Sequence, residues 1–386
     1  MDNTLDLFEA PKLDATEQEV IRRIGTIRQS VKYLFSTSKR WTGLLARVTL
    51  AKSIQGSNSI EGYLVSDEDA IAAVAGQEPL TDPKTENWLA VSHYRNAMRY
   101  ILQLAEDQHF AWDANLIRGL HYQMVAYDLE KNPGRWRPGG IHVRRAATGE
   151  VVYTAPDPEV VPSLVNALVQ WLSKEDAPPM VKAAMAHLNL VMIHPFRDGN
   201  GRMARALQTL VLVRAERILD PRFCSIEEYL GEVRDAYYAV LGEVGGGKWN
   251  PSNDARPFVR FCIKAHLHQA ERLLGFSKYM QRIWDEVEEE AKRHGFPERA
   301  KYALAEAAMG LKVRNATYRQ LAEIKEHLAS RDLKELADAG FLIAEGERRG
   351  RVYAAGETLK AIRKAALEAF PPPKMIEDPF KGDSYA

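Results

Sequence analysis

Cysteine is scarce in this chain: Cys224 and Cys262 are the only two in 386 residues. Two thiols cannot build a disulfide framework, and their spacing is not that of a metal site. Long apolar runs are missing as well. No stretch of about 18 apolar residues and no basic-then-apolar leader occurs, so the sequence reads as a cytoplasmic protein with no membrane partner. Net charge is absent too, since 52 Lys plus Arg balance 52 Asp plus Glu. No overall field then draws nucleic acid or anionic lipid, and any such binding must come from a local patch. Internal repeats and long low-complexity segments are also lacking. What is present is 46% hydrophobic and 27% charged residues. That is material for a folded main domain plus at least one smaller module.

Apolar spacing predicts a mainly α architecture. Val20, Ile21, Ile24 and Ile27 recur at helical intervals, followed by Leu44, Leu45, Val48 and Ala51. Further helices are expected over 86–106, 112–127, 159–174, 180–193, 202–216, 226–241 and 257–291. The first dozen residues read as a loose arm. Residues 139–154 break the helical pattern, with two β-rich runs around a Gly-bearing turn, closed by Pro156 and Pro158; a hairpin is predicted. Beyond about Gly295, three short helical patterns lead into two strand-like runs between Ile343 and Tyr353, the outline of a winged helix-turn-helix. The tail from Ala369, with Pro371, Pro372 and Pro373, reads as disordered.

The chemistry concentrates in His194-Pro195-Phe196-Arg197-Asp198-Gly199-Asn200-Gly201-Arg202-Met203-Ala204-Arg205. Pro195 stops one helix and Arg202 lies in the next, so the motif is an interhelical loop. Gly199 and Gly201 lack a Cβ and let backbone N–H groups crowd an anion at a helix N-terminus. Arg202 and Arg205, three apart on one face, add two guanidinium forks suited to phosphate oxygens. Asp198 offers a hard oxygen for Mg²⁺ shared with those phosphates. His194 can take a proton from an attacking hydroxyl at neutral pH. A histidine before a loop is ordinarily structural and a lone Gly-Asn-Gly is ordinarily a turn. Their conjunction with Asp198 and the two arginines points to phosphoryl or nucleotidyl transfer.

This stretch resembles, without a mismatch, the Fic family signature H-P-F-x-[D/E]-G-N-G-R-x-x-R. The similarity extends over much of residues 50–265, taking in Pro156, Glu159 and Trp171, and later Arg256, Pro257 and Phe258. The resemblance implies transfer of AMP from ATP to a protein hydroxyl, including the chain's own. It implies His194 as base, Phe196 as core anchor and Asp198 as Mg²⁺ ligand. Gly199, Asn200 and Gly201 would form an anion hole, Arg202 would hold the inner phosphates and Arg205 the γ-phosphate. Tyr237 and Tyr238 would line the adenine pocket. The hairpin would be a flap over 140–154, its residues Ile141, His142 and Val143 binding the target segment by strand addition. The implied organisation is a helical N-terminal region (1–110), a Fic core (111–294), a winged-helix module (295–368) and the tail (369–386).

Upstream, Ser57-Asn58-Ser59-Ile60-Glu61-Gly62 resembles the family's inhibitory [S/T]-x-x-x-E-[G/N]. If Gly62 caps a helix, Glu61 lies at the negative end of the macrodipole and needs a cationic partner. The family pairing implies Arg205. The competing reading makes Asn58 an N-cap with Glu61 in a capping box. Partners would then be ATP and a target protein, with a homodimer left open. A second function competes: DNA-binding regulation through the winged helix, where Arg331, Lys334, Arg348, Arg349 and Arg351 could meet phosphates. Asp332, Glu335, Asp338, Glu345 and Glu347 interleave with them, a balance that suits protein as well as DNA.

Overall fold

The computed structural model describes residues 6–37, 39–79, 82–144, 148–174, 176–216, 223–347 and 351–381. In chain order these form α1 (Ala15–Thr37), α2 (Lys39–Ile60), α3 (Asp67–Ala75), α4 (Glu86–Leu104) and α5 (Ala114–Val125). A hairpin, β1 (His142–Arg144) and β2 (Val151–Thr154), precedes α6 (Val161–Lys174), α7 (Pro179–Ile193) and α8 (Asn200–Ala215). Then come α9 (Glu227–Glu232), α10 (Arg234–Gly245), α11 (Arg256–Arg293), α12 (Ala300–Ala308), α13 (Asn315–Leu321) and α14 (Glu326–Asp338). A second hairpin, β3 (Leu342–Glu345) and β4 (Val352–Ala355), leads to α15 (Glu357–Ala369).

The helices start where the sequence supplies caps. Asp14 accepts from the Glu17 amide while Glu17 accepts from the Asp14 amide, a reciprocal capping box that opens α1. Ser66, Thr85 and Asp113 cap α3, α4 and α5 in the same way from one side. α7 and α8 are buried nearly all round, as helices at the centre of a larger protein must be, and they pack on each other with α4, α5, α6 and α11 around them. The expected helix over 226–241 is instead two, α9 and α10, broken at Val233 (φ −115°, ψ 38°).

Two apolar clusters result. The larger holds α4–α8, α10 and the first half of α11 around Leu164, Leu188, Phe196, Leu207 and Phe258. The other joins Trp41, Leu44 and Leu45 of α2 to Met280, Ile283 and Trp284 of α11 and to Leu304, Leu333 and Leu359 of the C-terminal helices. α2 and α11 each contribute to both. In the C-terminal part, α12, α13 and α14 are followed by antiparallel β3 and β4, paired Leu342↔Ala355 to Glu345↔Val352. A bridge from Val313 to Tyr353 fastens the α12–α13 link to β4. Arg348 and Arg349 lie outside the described residues.

Among the described residues, those toward each end are better held than composition suggests. Phe8 is buried against Trp249, and the Asn189 side chain both accepts from its N–H (2.9 Å) and donates to its carbonyl (3.4 Å), as a neighbouring strand would. The arm is therefore docked. In the described part of the tail, up to residue 381, contacts with the core are present. Ile376 and Phe380 pack on the larger cluster, and Asp378 meets Lys264 of α11 at 3.3 Å. Two apolar side chains with one charge anchor suffice to lay a proline-rich segment along a helix.

Candidate active site

α7 ends at His194, which adopts the left-handed conformation (φ 52°) and so turns its side chain out of the helix before Pro195 forbids continuation. Its Nδ1–H lies 3.1 Å from the Val191 carbonyl, an arrangement in which Nδ1 donates and Nε2 keeps its lone pair. Burial, with the Arg137 cation adding to it, lowers the imidazole pKa below the ordinary histidine value, so the ring is neutral at pH 7 and can accept a proton. Phe196 is fully buried and stacks on His121 at 3.6 Å between ring centroids. Asn200 clamps the turn, since its Oδ1 accepts from the Phe196 N–H and its Nδ2 donates to the Phe196 carbonyl, each at 2.9 Å. Its side-chain amide is thereby engaged on both sides.

Gly199 opens α8 at φ 76°, where a Cβ would also press on Val125 (3.0 Å). Behind it Arg202 and Arg205 are both buried. All three guanidinium nitrogens of Arg202, and Nη1 of Arg205, lack a hydrogen-bond partner among the described residues. Buried donors without acceptors are costly, and at a helix N-terminus they mark a place shaped for an anion. Asp198 accepts from the Gly199 N–H (2.6 Å) through Oδ1, while Oδ2 lies 3.5 Å from Lys131 Nζ.

The inhibitory-type segment closes on this place. α2 ends in a Schellman turn, with Tyr63 N–H on the Asn58 carbonyl (3.1 Å), Gly62 N–H on that of Ser59 (3.0 Å) and Gly62 at φ 90°. The C-cap reading of Gly62 therefore holds, and Asn58 is an interior helix residue that donates to the Ile54 carbonyl. Glu61 Oε1 accepts from Arg205 Nη2 at 2.7 Å, and Ser57 receives Nε through its hydroxyl (2.8 Å) and Nη2 through its carbonyl (3.0 Å). A Cβ on Gly201 would collide with the Glu61 carboxylate, which thus lies against the loop backbone itself. Burial works against the charge of Arg205, but the Glu61 carboxylate, together with Tyr237 and Tyr94, outweighs it and holds the guanidinium protonated beyond the usual arginine range.

Tyr237 is buried and hydrogen-bonds His187 Nε2 (2.8 Å), whose Nδ1 meets Gln208 Oε1 (2.6 Å). His187 is thus a structural histidine, and burial pushes its pKa down to about 3. Tyr238 is 44% exposed, its hydroxyl 3.4 Å from the Ile60 carbonyl. On the hairpin, β1 pairs β2 through His142↔Thr154 and Val143↔Tyr153, with a bulge before Arg144. β2 is covered on its other side at Thr154 by residues 247–249. Ile141 and Val143 pack partly on the core; Arg145 at the end of the first expected run and Ala146 and Ala147 of the expected 146–149 turn lie outside the described residues.

Three site residues escape motif reading. Arg137 donates to the carbonyls of His194 (2.8 Å), Gly139 (2.7 Å) and Pro156, tying the histidine turn to both feet of the hairpin. His121 accepts from the Gly134 N–H and donates through Nε2 to the Asp198 carbonyl at 2.8 Å. Lys131 is the third. Among the described residues no group of three or more His, Cys, Asp or Glu could form a protein-only metal site. A single outward carboxylate at Asp198 fits a cation shared with phosphates, as Mg²⁺ usually is.

Residues 111–212 match the Fic/DOC family, a span that contains the loop, both arginines, His121, Lys131 and Arg137. The chain carries a Fic domain. Among curated relatives, it is 27% identical over 273 residues to a Caenorhabditis elegans protein named protein adenylyltransferase fic-1, covering 69% of this chain and 49% of that one. It is 27% identical over 259 residues to protein adenylyltransferase Fic of Nematostella vectensis, covering 66% and 55%. The chain spans about half the length of these relatives. Among solved structures, a Fic family protein from Desulfovibrio desulfuricans superimposes with a TM-score of 0.57 at 21% identity, over 90% of this chain and 98% of that one. A Fic-1 fragment from C. elegans gives 0.53 at 24% identity, over 68% and 73%. The fold around the Fic domain is thus shared well beyond the matched span. No helix among the described residues is long and apolar enough to cross a membrane.

Proposed function

We propose that this chain is a protein adenylyltransferase held closed by Glu61. The observation that carries the reading is the fully buried Arg202, whose three nitrogens have no hydrogen-bond partner among the described residues, one turn from an Arg205 occupied by Glu61. In the open site, ATP phosphates take up the donors of the Gly199–Gly201 turn, Arg202 and Arg205. An acceptor hydroxyl oxygen then attacks the α-phosphorus, the bond to the bridging oxygen breaks, and pyrophosphate leaves as the hydroxyl proton passes to His194 Nε2. Asp198 would hold Mg²⁺, whose charge counters that of the phosphates. Arg137 keeps the base and the hairpin in register, so a target strand laid along Ile141, His142 and Val143 would bring its hydroxyl toward the imidazole. The names borne by the relatives support this activity.

Intact-mass spectrometry after incubation with Mg²⁺-ATP tests it. Glu61→Gly should gain AMP adducts that the unaltered chain lacks or acquires up to about a hundredfold more slowly, a closure bias of roughly 2.7 kcal/mol. Arg205→Ala breaks the same pair yet should stay inactive, because it also removes a phosphate ligand. No adduct on a folded Glu61→Gly chain supplied with ATP and a competent acceptor would end the closure reading.

For the C-terminal part we propose a winged helix whose partner is protein or DNA. Several of its described cations are paired: Lys312 meets Glu345 (2.9 Å), Arg319 meets Glu326 (3.2 Å), and Arg331 lies 3.6 Å from Asp332, which is buried under Arg299 and Tyr318. That pairing weighs toward protein. DNA binding with a steep salt dependence would reverse the choice.

A further inference from the structure

The residue following the inhibitory motif takes part in the closure. Tyr63 lays its ring over the Arg202 guanidinium, 4.9 Å from centroid to Cζ. Its hydroxyl accepts from Lys131 Nζ at 2.9 Å, and the same ammonium is held by Glu86 Oε1 (2.8 Å) and the Tyr127 hydroxyl (2.9 Å). The Tyr63 backbone is itself part of the Schellman turn that positions Glu61. Arg202, meanwhile, has no solvent exposure and no acceptor at any nitrogen among the described residues. An oxyanion can reach that guanidinium only if a covering group leaves. Tyr63, itself only partly buried, is the group whose ring lies on its face.

We propose that Tyr63 is a second arm of the closure, covering Arg202 as Glu61 occupies Arg205, with Lys131 as the anchor of its hydroxyl. The inference rests on the phosphate-binding reading of the two arginines, and it assigns each arginine its own cover. Charge alone does not explain the arrangement, because a tyrosine brings none; the ring instead satisfies the guanidinium through its π face while excluding water. The two covers act on different ligand groups. A nucleotide that engages Arg202 without reaching Arg205 is gated chiefly by Tyr63, whereas one engaging both must displace both arms.

Calorimetric titration of the full chain with ADP and with ATP, in the absence of acceptor, separates the arms. Tyr63→Ala is expected to bind ADP about tenfold more tightly, the gain that follows if Tyr63 keeps Arg202 covered in about nine molecules of ten. Tyr63→Phe, which keeps the ring but loses the anchor, and Lys131→Met should each give a smaller gain of about threefold. Glu61→Gly should favour ATP over ADP, and combined with Tyr63→Ala the two gains should multiply. Unchanged or weaker ADP binding by a Tyr63→Ala chain of undiminished melting temperature would overturn the proposal, the weaker case meaning that the ring prepares Arg202 for ligand. If no variant, Glu61→Gly included, binds either nucleotide, the phosphate reading itself falls. Nucleotide binding by Glu61→Gly without a Tyr63 effect removes only the second arm.

Discussion

Glu227 is a carboxyl enclosed by α2, α4 and α8, with Arg205, Tyr94, Ser57 and Thr209 around it and one oxygen lacking a hydrogen-bond partner among the described residues. Burial pushes its pKa up to about 7, with Arg205 and the surrounding hydroxyls pulling the other way. Because the unfolded group titrates near the ordinary glutamate value, folding takes up a proton between about pH 4.5 and 7. Its contribution to stability is therefore present at acidic pH and lost as pH rises through that window, by an amount on the order of 3 kcal/mol. Glu227→Gln, which is neutral throughout, should melt several degrees above the parent at pH 8 and close to it at pH 5. Melting curves that stay parallel across this range would show Glu227 ionised in the fold. His194→Ala, by contrast, should under the proposed function abolish AMP transfer with nucleotide affinity within about twofold of the parent, since the imidazole would then serve the hydroxyl and bind no phosphate. A comparable loss of ATP affinity would reassign it. The contrast between these two residues explains what motif reading could reach. From His194 to Arg205 every group is within twelve positions, so the proposed site could be picked out from spacing, while the roles of its residues came from the family resemblance. Glu227, His121 and Arg137 act across folded space, Arg137 on a carbonyl 57 positions away and His121 on one 77 away.

α2 meets α9 by a close backbone approach at Gly56 and Gly231. A Cβ on Gly56 would sit 2.5 Å from the Glu227 carbonyl oxygen and 2.8 Å from the Glu228 Cα, and one on Gly231 would sit 2.9 Å from the Gly56 Cα. Backbone cannot step aside as a side-chain tip can. Gly56→Ala must therefore lift α2 from α9, at a cost of about 1–3 kcal/mol. Since Ser57 and Glu61 lie on the following turn, the same displacement draws both away from Arg205. The variant is expected to melt several degrees lower and to bind ATP more tightly than the parent, a pairing that a purely local defect would not give. Lower melting with unchanged ATP affinity would show that the last turn of α2 moves independently of Gly56. The helix and its apolar stripe were legible from Leu44, Leu45, Val48 and Ala51. The Gly56–Gly231 crossing was not, because nothing in either glycine's neighbourhood names a partner 175 positions away; only the packed structure pairs them.

At the scale of the whole molecule, α11 decides how the parts hold together. Its 38 residues extend about 57 Å, with Phe258, Val259 and Ile263 in the larger cluster and Met280, Ile283 and Trp284 in the other. α2 crosses in the same manner, and Arg47 near its middle reaches Glu306 of α12 at 2.7 Å, both side chains being buried. Two uninterrupted helices that serve both clusters leave no hinge at which one could melt alone. The chain should thus unfold in a single calorimetric transition whose van't Hoff and calorimetric enthalpies agree. Arg47→Ala leaves the Glu306 carboxylate buried without its partner, a change worth about 3–5 kcal/mol, and should lower that single transition as a unit. Adding Glu306→Gln should recover part of the loss, because it removes the stranded charge. If scanning calorimetry of Arg47→Ala instead resolves two peaks, with only the lower one shifted, the clusters are separable and α2 and α11 yield between them.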